Sequence, residues 1–296
     1  MESAYGVRPH GYRLPDATRL GKVSIQVSDL VRSLAFYEDI LGFQVIGRAP
    51  DHATLGAQGN STPIVEVVER ANAAPSPRRG RLGLFHFAIL VPDRAALGRF
   101  ATHLSELGVS AGASDHLVSE ALYLNDPDGL GIEVYADRSR AAWRHNGREL
   151  VMDTRPLDLL KLARAAGDQP WSGMPPGTAI GHVHLHVADL EEGKSFFHHA
   201  LGLDTMVWSH PGALFLSAGG YHHHLGLNTW AGPGAARPKP DDARLLEWEI
   251  CTPAEGDAAA AAGSMEAAGY VVNRAERGWL VEDPWGTAVR LIGIGS

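Results

Sequence analysis

The chain lacks the features that would place it in an oxidising compartment, in a membrane or on a nucleic acid. Cys251 is its only cysteine, which excludes an internal disulfide and a thiolate metal cluster. It has no apolar run of the roughly 18 residues that a membrane span needs, and it does not begin with an apolar signal segment. The net charge is −8 and the basic residues are scattered, which argues against a nucleic acid partner. We therefore expect a cytoplasmic protein with neither a membrane nor a nucleic acid as a partner.

An internal repeat dominates what is present. The chain has 296 residues, of which 45% are hydrophobic, enough for sizeable cores. Gly21–Leu30 and Gly181–Leu190 align without a gap, and Phe85–Asp93 and Glu247–Pro253 begin two weaker copies. Each copy continues into a helix pattern and then into short strand patterns. The sequence therefore predicts four βαβββ units, near residues 18–70, 81–136, 178–231 and 243–294.

A connector separates the second unit from the third. It covers residues 137–177, contains the pattern of one short helix, and ends in a stretch rich in proline and glycine. We predict an N-terminal half at 18–136, holding units one and two, and a C-terminal half at 178–294, holding units three and four.

Three histidines alternate with apolar residues in the first strand of unit three. Side chains repeat every two residues along a strand, so His182, His184 and His186 share one face. The alternation alone is equally typical of a half-buried strand whose polar side faces water.

The four units, with an Asp-Pro-x-Gly turn at Asp126 and again at Asp283, resemble the vicinal oxygen chelate superfamily of glyoxalases, bleomycin resistance proteins and dioxygenases. Gly181–Val187, Ser119–Leu124 and Tyr221–Trp230 are most similar to bacterial catechol 2,3-dioxygenases, which are type I extradiol dioxygenases. The resemblance implies an α+β fold in which the four units form two half-open barrel modules. It also implies an Fe(II)-dependent enzyme, with Mn(II) as the alternative metal, that cleaves the ring of a catechol-like diol with O₂.

In this superfamily the metal ligands lie on the first and last strands of paired units. The corresponding positions are Lys22, His86, His182 and Glu247 on the first strands, and Glu133 and Arg290 on the last strands of units two and four. Only His86, His182 and Glu133 form a set that suits Fe(II). Because both imidazoles must reach one ion, we predict that unit two pairs with unit three and unit one with unit four. We expect Lys22, Glu247 and Arg290 to form ion pairs in the second module.

The resemblance assigns further roles around this metal. His223 would act as acid and base. His222 or His224 could face the pocket instead, because the sequence does not show which alternate residues of this strand point towards it. Tyr123, ten residues before Glu133, would hydrogen-bond a substrate oxygen. A distal histidine is expected nine residues before this tyrosine, where the chain has Ser114, so His116 is the nearest candidate. The substrate-binding candidates are His184, His222, His224 and Trp230. Phe85, Phe87 and Trp248 are further aromatic residues that could line the ring site, although packing in the core is equally open for each.

Two other functions remain open at this point. The chain could be a non-catalytic protein that binds a small molecule such as an antibiotic, or a metal-dependent isomerase or lyase of the glyoxalase type. The second alternative would use Glu66 with His86 and Glu133. The dioxygenase hypothesis predicts a small aromatic substrate and O₂ as partners. It is also compatible with a homo-oligomer.

Overall fold

The computed structural model describes residues 5–295, which follow the repeated order of strand, helix and three strands. The strands of the four units are β1 (Arg19–Val27), β2 (Gln44–Arg48), β3 (His52–Gly56), β4 (Val65–Glu69), β5 (Gly83–Leu90), β6 (Gly112–Asp115), β7 (Ser119–Asn125), β8 (Gly131–Asp137), β12 (Ala179–His186), β13 (Asp204–Val207), β14 (Ala213–Ser217), β15 (Leu225–Asn228), β16 (Arg244–Ala254), β17 (Val272–Arg274), β18 (Trp279–Glu282) and β19 (Ala288–Gly295). The connector adds β9 (His145–Asn146), β10 (Glu149–Leu150) and β11 (Arg155–Pro156).

The helices lie between the first and second strands of each unit, and one lies in the connector. They are α1 (Leu30–Ala35), α2 (Arg94–Glu106), α3 (Leu159–Ala165), α4 (Leu190–Lys194) and α5 (Glu255–Ala267), with π-helical turns following α1 and α4. Asp29, Asp93 and Asp189 cap α1, α2 and α4. The carboxylate of each accepts a hydrogen bond from the backbone N–H of the residue three positions later. The repeated aspartate after the first strand is therefore the residue that starts the helix in three of the units.

The strands form two large sheets: one combines the first and last units of the chain, and the other combines the two middle units. One sheet has the order β17-β18-β19-β16-β1-β4-β3-β2 and holds units one and four. The other has the order β11-β6-β7-β8-β5-β12-β15-β14-β13 and holds units two and three. The α+β class and the cross-pairing of units are thus confirmed. The division of the chain into halves around residues 137–177 stays a prediction.

The centre of each sheet is an antiparallel pair of first strands, β1 with β16 and β5 with β12. Val23, Ile25, Phe87 and Val183 on these strands are fully buried in one apolar cluster that spans both sheets. Their neighbours in sequence point to the opposite face. On β5 and β12 that opposite face carries the histidines, so the core fixes the register of the candidate site.

The connector closes one edge of the second sheet. Its β11 pairs with β6, and α3 packs on α2 so closely that a Cβ at Gly98 would lie 2.4 Å from the carbonyl oxygen of Leu162. Residues 152–154, just before β11, are thereby brought to the mouth of the curved face formed by β5 and β12.

Candidate metal centre and substrate cavity

Two cross-strand rows form the floor of a cavity on the second sheet. Side chains of directly paired residues lie on the same face of a sheet. The first row runs across β7, β8, β5 and β12 through Tyr123, Glu133, Ala88 and His182. The second row runs across β5, β12, β15 and β14 through His86, His184, Gly226 and Phe215.

Small residues in the middle of each row leave room for the groups beside them. Ala88 lies between Glu133 and His182, so these two longer side chains converge above a methyl group. Gly226 lies beside His184, and a Cβ there would come within 2.8 Å of the imidazole ring. The floor is therefore shaped to hold the histidine and carboxylate side chains close together.

His86, Glu133 and His182 form one buried cluster, with ligand atoms that all lie within 4.8 Å of one another. Nε2 of His86 lies 3.0 Å and Nε2 of His182 lies 3.2 Å from the same oxygen, Oε2 of Glu133. The two imidazole rings are 5.5 Å apart. The cross-pairing thus brings together the three residues that the sequence assigned to the metal; that they bind a metal stays a prediction.

The electrostatics of the cluster favour an ionised Glu133 carboxylate beside a neutral His182 imidazole. Burial alone would raise the pKa of Glu133, but His182 and His86 outweigh it and hold the pKa well below its ordinary value. Burial lowers the pKa of His182 to about 4, despite the opposing effect of Glu133. Metal ligands must be a carboxylate and unprotonated imidazoles. Glu133 and His182 are therefore already in the protonation states of metal ligands near neutral pH.

Tyr123 and His116 meet at one side of this cluster. Nδ1 of His116 lies 3.0 Å from the carbonyl oxygen of Asp153, and its Nε2 lies 2.5 Å from the hydroxyl of Tyr123. A carbonyl only accepts, so a neutral His116 donates from Nδ1 and accepts the tyrosine proton at Nε2. The Tyr123 oxygen then keeps its lone pairs for a donor in the cavity. His116 reaches the cavity even though it is two residues away from the expected position.

The three consecutive histidines of unit three point in different directions. His223 lines the cavity, with its ring 4.0 Å from that of His182. His222 instead faces Asp137, at 3.0 Å, and His224 accepts the backbone N–H of Ala218, at 3.2 Å. The expected placement of His222 and His224 against the substrate is therefore not what the structure shows. These residues precede β15, so the alternation of the strand does not extend to them.

The cavity has a volume of about 270 Å³ and a predominantly aromatic wall. His184 lies on its floor, with ring contacts to Phe85, Trp230 and Phe215 at 5.1 to 5.6 Å. Phe85 and Trp230 are 36% and 41% exposed and so stand at the mouth. Phe87 and Trp248 are instead fully buried in the apolar core and do not line the cavity. Within residues 5–295, no lysine or arginine lines this cavity. The wall residues that sequence reasoning missed are Met152, Asp153, Thr154, His210, Phe215, Ser114 and Ser119.

Comparisons with known proteins agree with this architecture. Residues 19–134 match the model of the glyoxalase/bleomycin resistance protein/dioxygenase superfamily. A catechol-2,3-dioxygenase of Bacillus subtilis is 43% identical over 271 residues, which cover 90% of this chain and 94% of the relative. The chain belongs to this superfamily.

Solved structures share the superfamily fold at low sequence identity. A Bacillus subtilis protein, solved as a candidate dioxygenase, has a TM-score of 0.66 at 15% identity, covering 95% of this chain and 86% of that protein. Glyoxalase I of Zea mays has a TM-score of 0.54 at 18% identity, covering 92% and 91%. In the part of the chain that is described, no helix is long and apolar enough to cross a membrane.

On the sheet of units one and four, the positions that correspond to the metal ligands are occupied by residues that form ion pairs. Both Nε and a terminal nitrogen of Arg290 donate to the Glu247 carboxylate, at 2.6 and 2.8 Å, and Lys22 donates to Glu66 at 2.6 Å. The expected ion pairs are confirmed, with Glu66 as the partner of Lys22. Glu66 therefore lies on the other sheet from His86 and Glu133, so the glyoxalase-like ligand set is not brought together. Among residues 5–295, no second group of three His, Cys, Asp or Glu has metal-ligand spacing.

Proposed function

We propose that the protein is an Fe(II)-dependent extradiol dioxygenase that cleaves the ring of a catechol-like aromatic diol with O₂. The observation that carries the proposal is the convergence of two buried imidazoles and one buried carboxylate on the floor of an aromatic cavity. The named activity of the Bacillus subtilis relative, a catechol-2,3-dioxygenase at 43% identity, supports the same conclusion.

The residues fit a divalent iron in both donor type and direction. Nε2 of His86 is buried and has no hydrogen-bond partner, although it lies 3.0 Å from Glu133, because its direction is not that of a hydrogen bond. An orphaned buried nitrogen is costly unless a further group accepts its lone pair. Two histidines and one carboxylate hold Fe(II) on one face and leave its other positions open. Mn(II) suits the same donors and is the alternative metal.

A metal held by His86, His182 and Glu133 would supply a positive charge that stabilises an ionised diol oxygen and favours a common orientation of the reactants. The chain's own residues do the rest. His223 is a neutral base beside this centre, because burial among other histidines lowers its pKa well below the ordinary value, and it takes a proton from a substrate hydroxyl. Tyr123 accepts a hydrogen bond from the substrate, since its own proton is directed to His116. His184 and the aromatic wall enclose the ring and exclude water from it.

The test is ring cleavage by iron-loaded protein. Metal-free protein is loaded with iron without oxygen, then mixed with a panel of catechols and O₂, while the yellow ring-fission product and O₂ consumption are recorded. We expect product from the wild type and none from His182→Ala. His198→Ala is the matched control: His198 is also a buried histidine of unit three, but its Nδ1 contacts the carbonyl oxygen of Leu203 and it does not line the cavity.

The same measurements separate the alternatives. A non-catalytic binding protein would purify without stoichiometric iron, and an isomerase or lyase would bind metal without consuming O₂ with a catechol. Iron-loaded wild-type protein that forms no product from any catechol would refute the proposed function.

A further inference from the structure

A chain of hydrogen bonds leads from the cavity towards the protein surface. Nδ1 of His223 lies 2.7 Å from Nδ1 of His222, and Nε2 of His222 lies 3.0 Å from Oδ1 of Asp137. The side chain of His222 is fully buried, whereas that of Asp137 is 28% exposed. Two side chains, His222 and Asp137, therefore connect the candidate proton acceptor His223 with solvent.

The chemistry of the three groups fixes the direction of each hydrogen bond. An ionised carboxylate can only accept, so Nε2 of His222 carries its proton. With one proton on each imidazole ring, the other nitrogen of His222 is an acceptor, so its Nδ1 accepts the Nδ1–H of His223. Nε2 of His223 is thereby left with a free lone pair. That nitrogen has no partner among residues 5–295, and its ring lines the cavity.

Asp137, the carboxylate at the surface end of this chain, is itself held in place. The hydroxyl of Tyr221 donates to Oδ1 of Asp137 at 3.2 Å, and the hydroxyl of Tyr135 lies 2.7 Å from that of Tyr221. The backbone makes room for this second chain at Gly181, where a Cβ would lie 1.7 Å from the Tyr135 hydroxyl. Asp137 is the acceptor on which both chains end.

We propose that Asp137 and His222 are positioning residues that hold His223 as the Nδ1–H tautomer, with Nε2 free to accept a proton in the cavity. That the proton comes from a catechol rests on the proposed function. The tautomer does not, because it follows from hydrogen bonds within the protein. The most common tautomer of an unconstrained imidazole places the proton on Nε2, where His223 would donate and could not act as a base.

The direct test measures the tautomer in metal-free protein. Histidine-selective ¹⁵N labelling and long-range ¹H–¹⁵N correlation spectra report which ring nitrogen carries the proton, and the His223 signals are assigned by their loss in His223→Gln. We expect an Nδ1–H ring in the wild type; an Nε2–H ring overturns the proposal. In His222→Phe the acceptor is gone, so we expect His223 to lose this preference, and an unchanged His223 spectrum also overturns the proposal.

Variants of the partly exposed Asp137 test the same chain with less risk to folding. Asp137→Ala removes the acceptor, and we expect kcat to fall about tenfold or more while KM stays within about twofold. Asp137→Asn keeps an oxygen for both His222 and Tyr221, which bond the same atom, Oδ1, so we expect it to retain the tautomer and most of the activity. Equal losses in the two variants would assign the effect to charge and overturn the proposal.

A control on the other sheet completes the design. Glu66 has a similar side-chain exposure, 25%, and also makes one ion pair, so Glu66→Gln is expected to change neither the His223 spectrum nor turnover. Failure of the proposed function would appear separately, as a wild type that turns over no catechol while its His223 tautomer is still the one expected.

Discussion

His224 makes the stability of the protein depend on pH, although it takes no part in the candidate site. It is buried, and its Nδ1 accepts the backbone N–H of Ala218. Burial, together with His222 and Arg140, lowers the pKa of His224 from 6.5 to about 3. As the pH falls below 6.5, the ring therefore becomes protonated in the unfolded chain while it stays neutral in the folded protein.

The sign and size of the effect follow from linkage. A base whose pKa is lowered by folding contributes its full stability above the pKa of the unfolded chain, about 6.5, and loses it as the pH falls towards the folded value of about 3. At pH 5 the folded ring is still neutral, so the loss is set by the roughly 1.5 units between pH 5 and the unfolded pKa. At about 1.4 kcal/mol per unit, the free energy of unfolding should fall by about 2 kcal/mol from this residue alone.

Urea unfolding of metal-free protein at pH 7 and pH 5 measures this loss. His224→Asn provides the comparison, because the asparagine oxygen can accept the Ala218 N–H and does not titrate. We expect the wild type to lose about 2 kcal/mol more than this variant between the two pH values. His10→Asn, at an exposed histidine, should behave as the wild type does. Equal losses in the wild type and in His224→Asn would refute the reasoning.

Two further predictions concern the cavity and the metal. Asp153 lines the cavity and, within residues 5–295, no lysine or arginine does, so catechols that carry a carboxylate should have kcat/KM about tenfold or more below that of catechol. Met152→Arg should narrow this difference, and equal rates for charged and neutral catechols in the wild type would contradict it. Metal analysis should give one iron per chain in the wild type and in Glu66→Gln, and almost none in Glu133→Gln; two irons per chain would show a second site.

The order of the units and the pairing of the sheets could be predicted from the sequence because the repeat is strong. The first strand of each unit can be aligned with the others, and the positions of His86, His182 and Glu133 follow by counting along the copies. Once these residues must meet, only one pairing of units allows it. The geometry of paired strands then determines which side chains share a face.

The positions outside the repeated strands could not be predicted in the same way. Residues 218–224 lie between β14 and β15, where no ladder imposes alternation, so neighbouring histidines turn to different partners. Met152 and Asp153 come from the connector, which has no copy elsewhere in the chain to compare. His116 is offset in sequence, and its ring lies between the Asp153 carbonyl and Tyr123, a contact with the connector that the repeat does not predict.

The two sheets differ in features that suit only one of them to the proposed metal. Position 249 of one sheet corresponds to position 88 of the other, since Ala88 pairs with Glu133 on β8 and Glu249 pairs with Arg290 on β19. The space that Ala88 leaves open is therefore occupied in the other sheet by the buried side chain of Glu249.

The charges of the other sheet are also satisfied internally. Arg290 binds Glu247, and Glu249 accepts the backbone N–H of Lys22 and lies 3.5 Å from Arg277. A cation placed there would have to displace arginine and lysine side chains from the carboxylates that they neutralise. The small residue at position 88 is thus as important for the proposed metal centre as the ligands themselves, because it leaves the space for a metal. Within residues 5–295, no arginine or lysine forms an ion pair with Glu133, so its charge is left for a metal to neutralise.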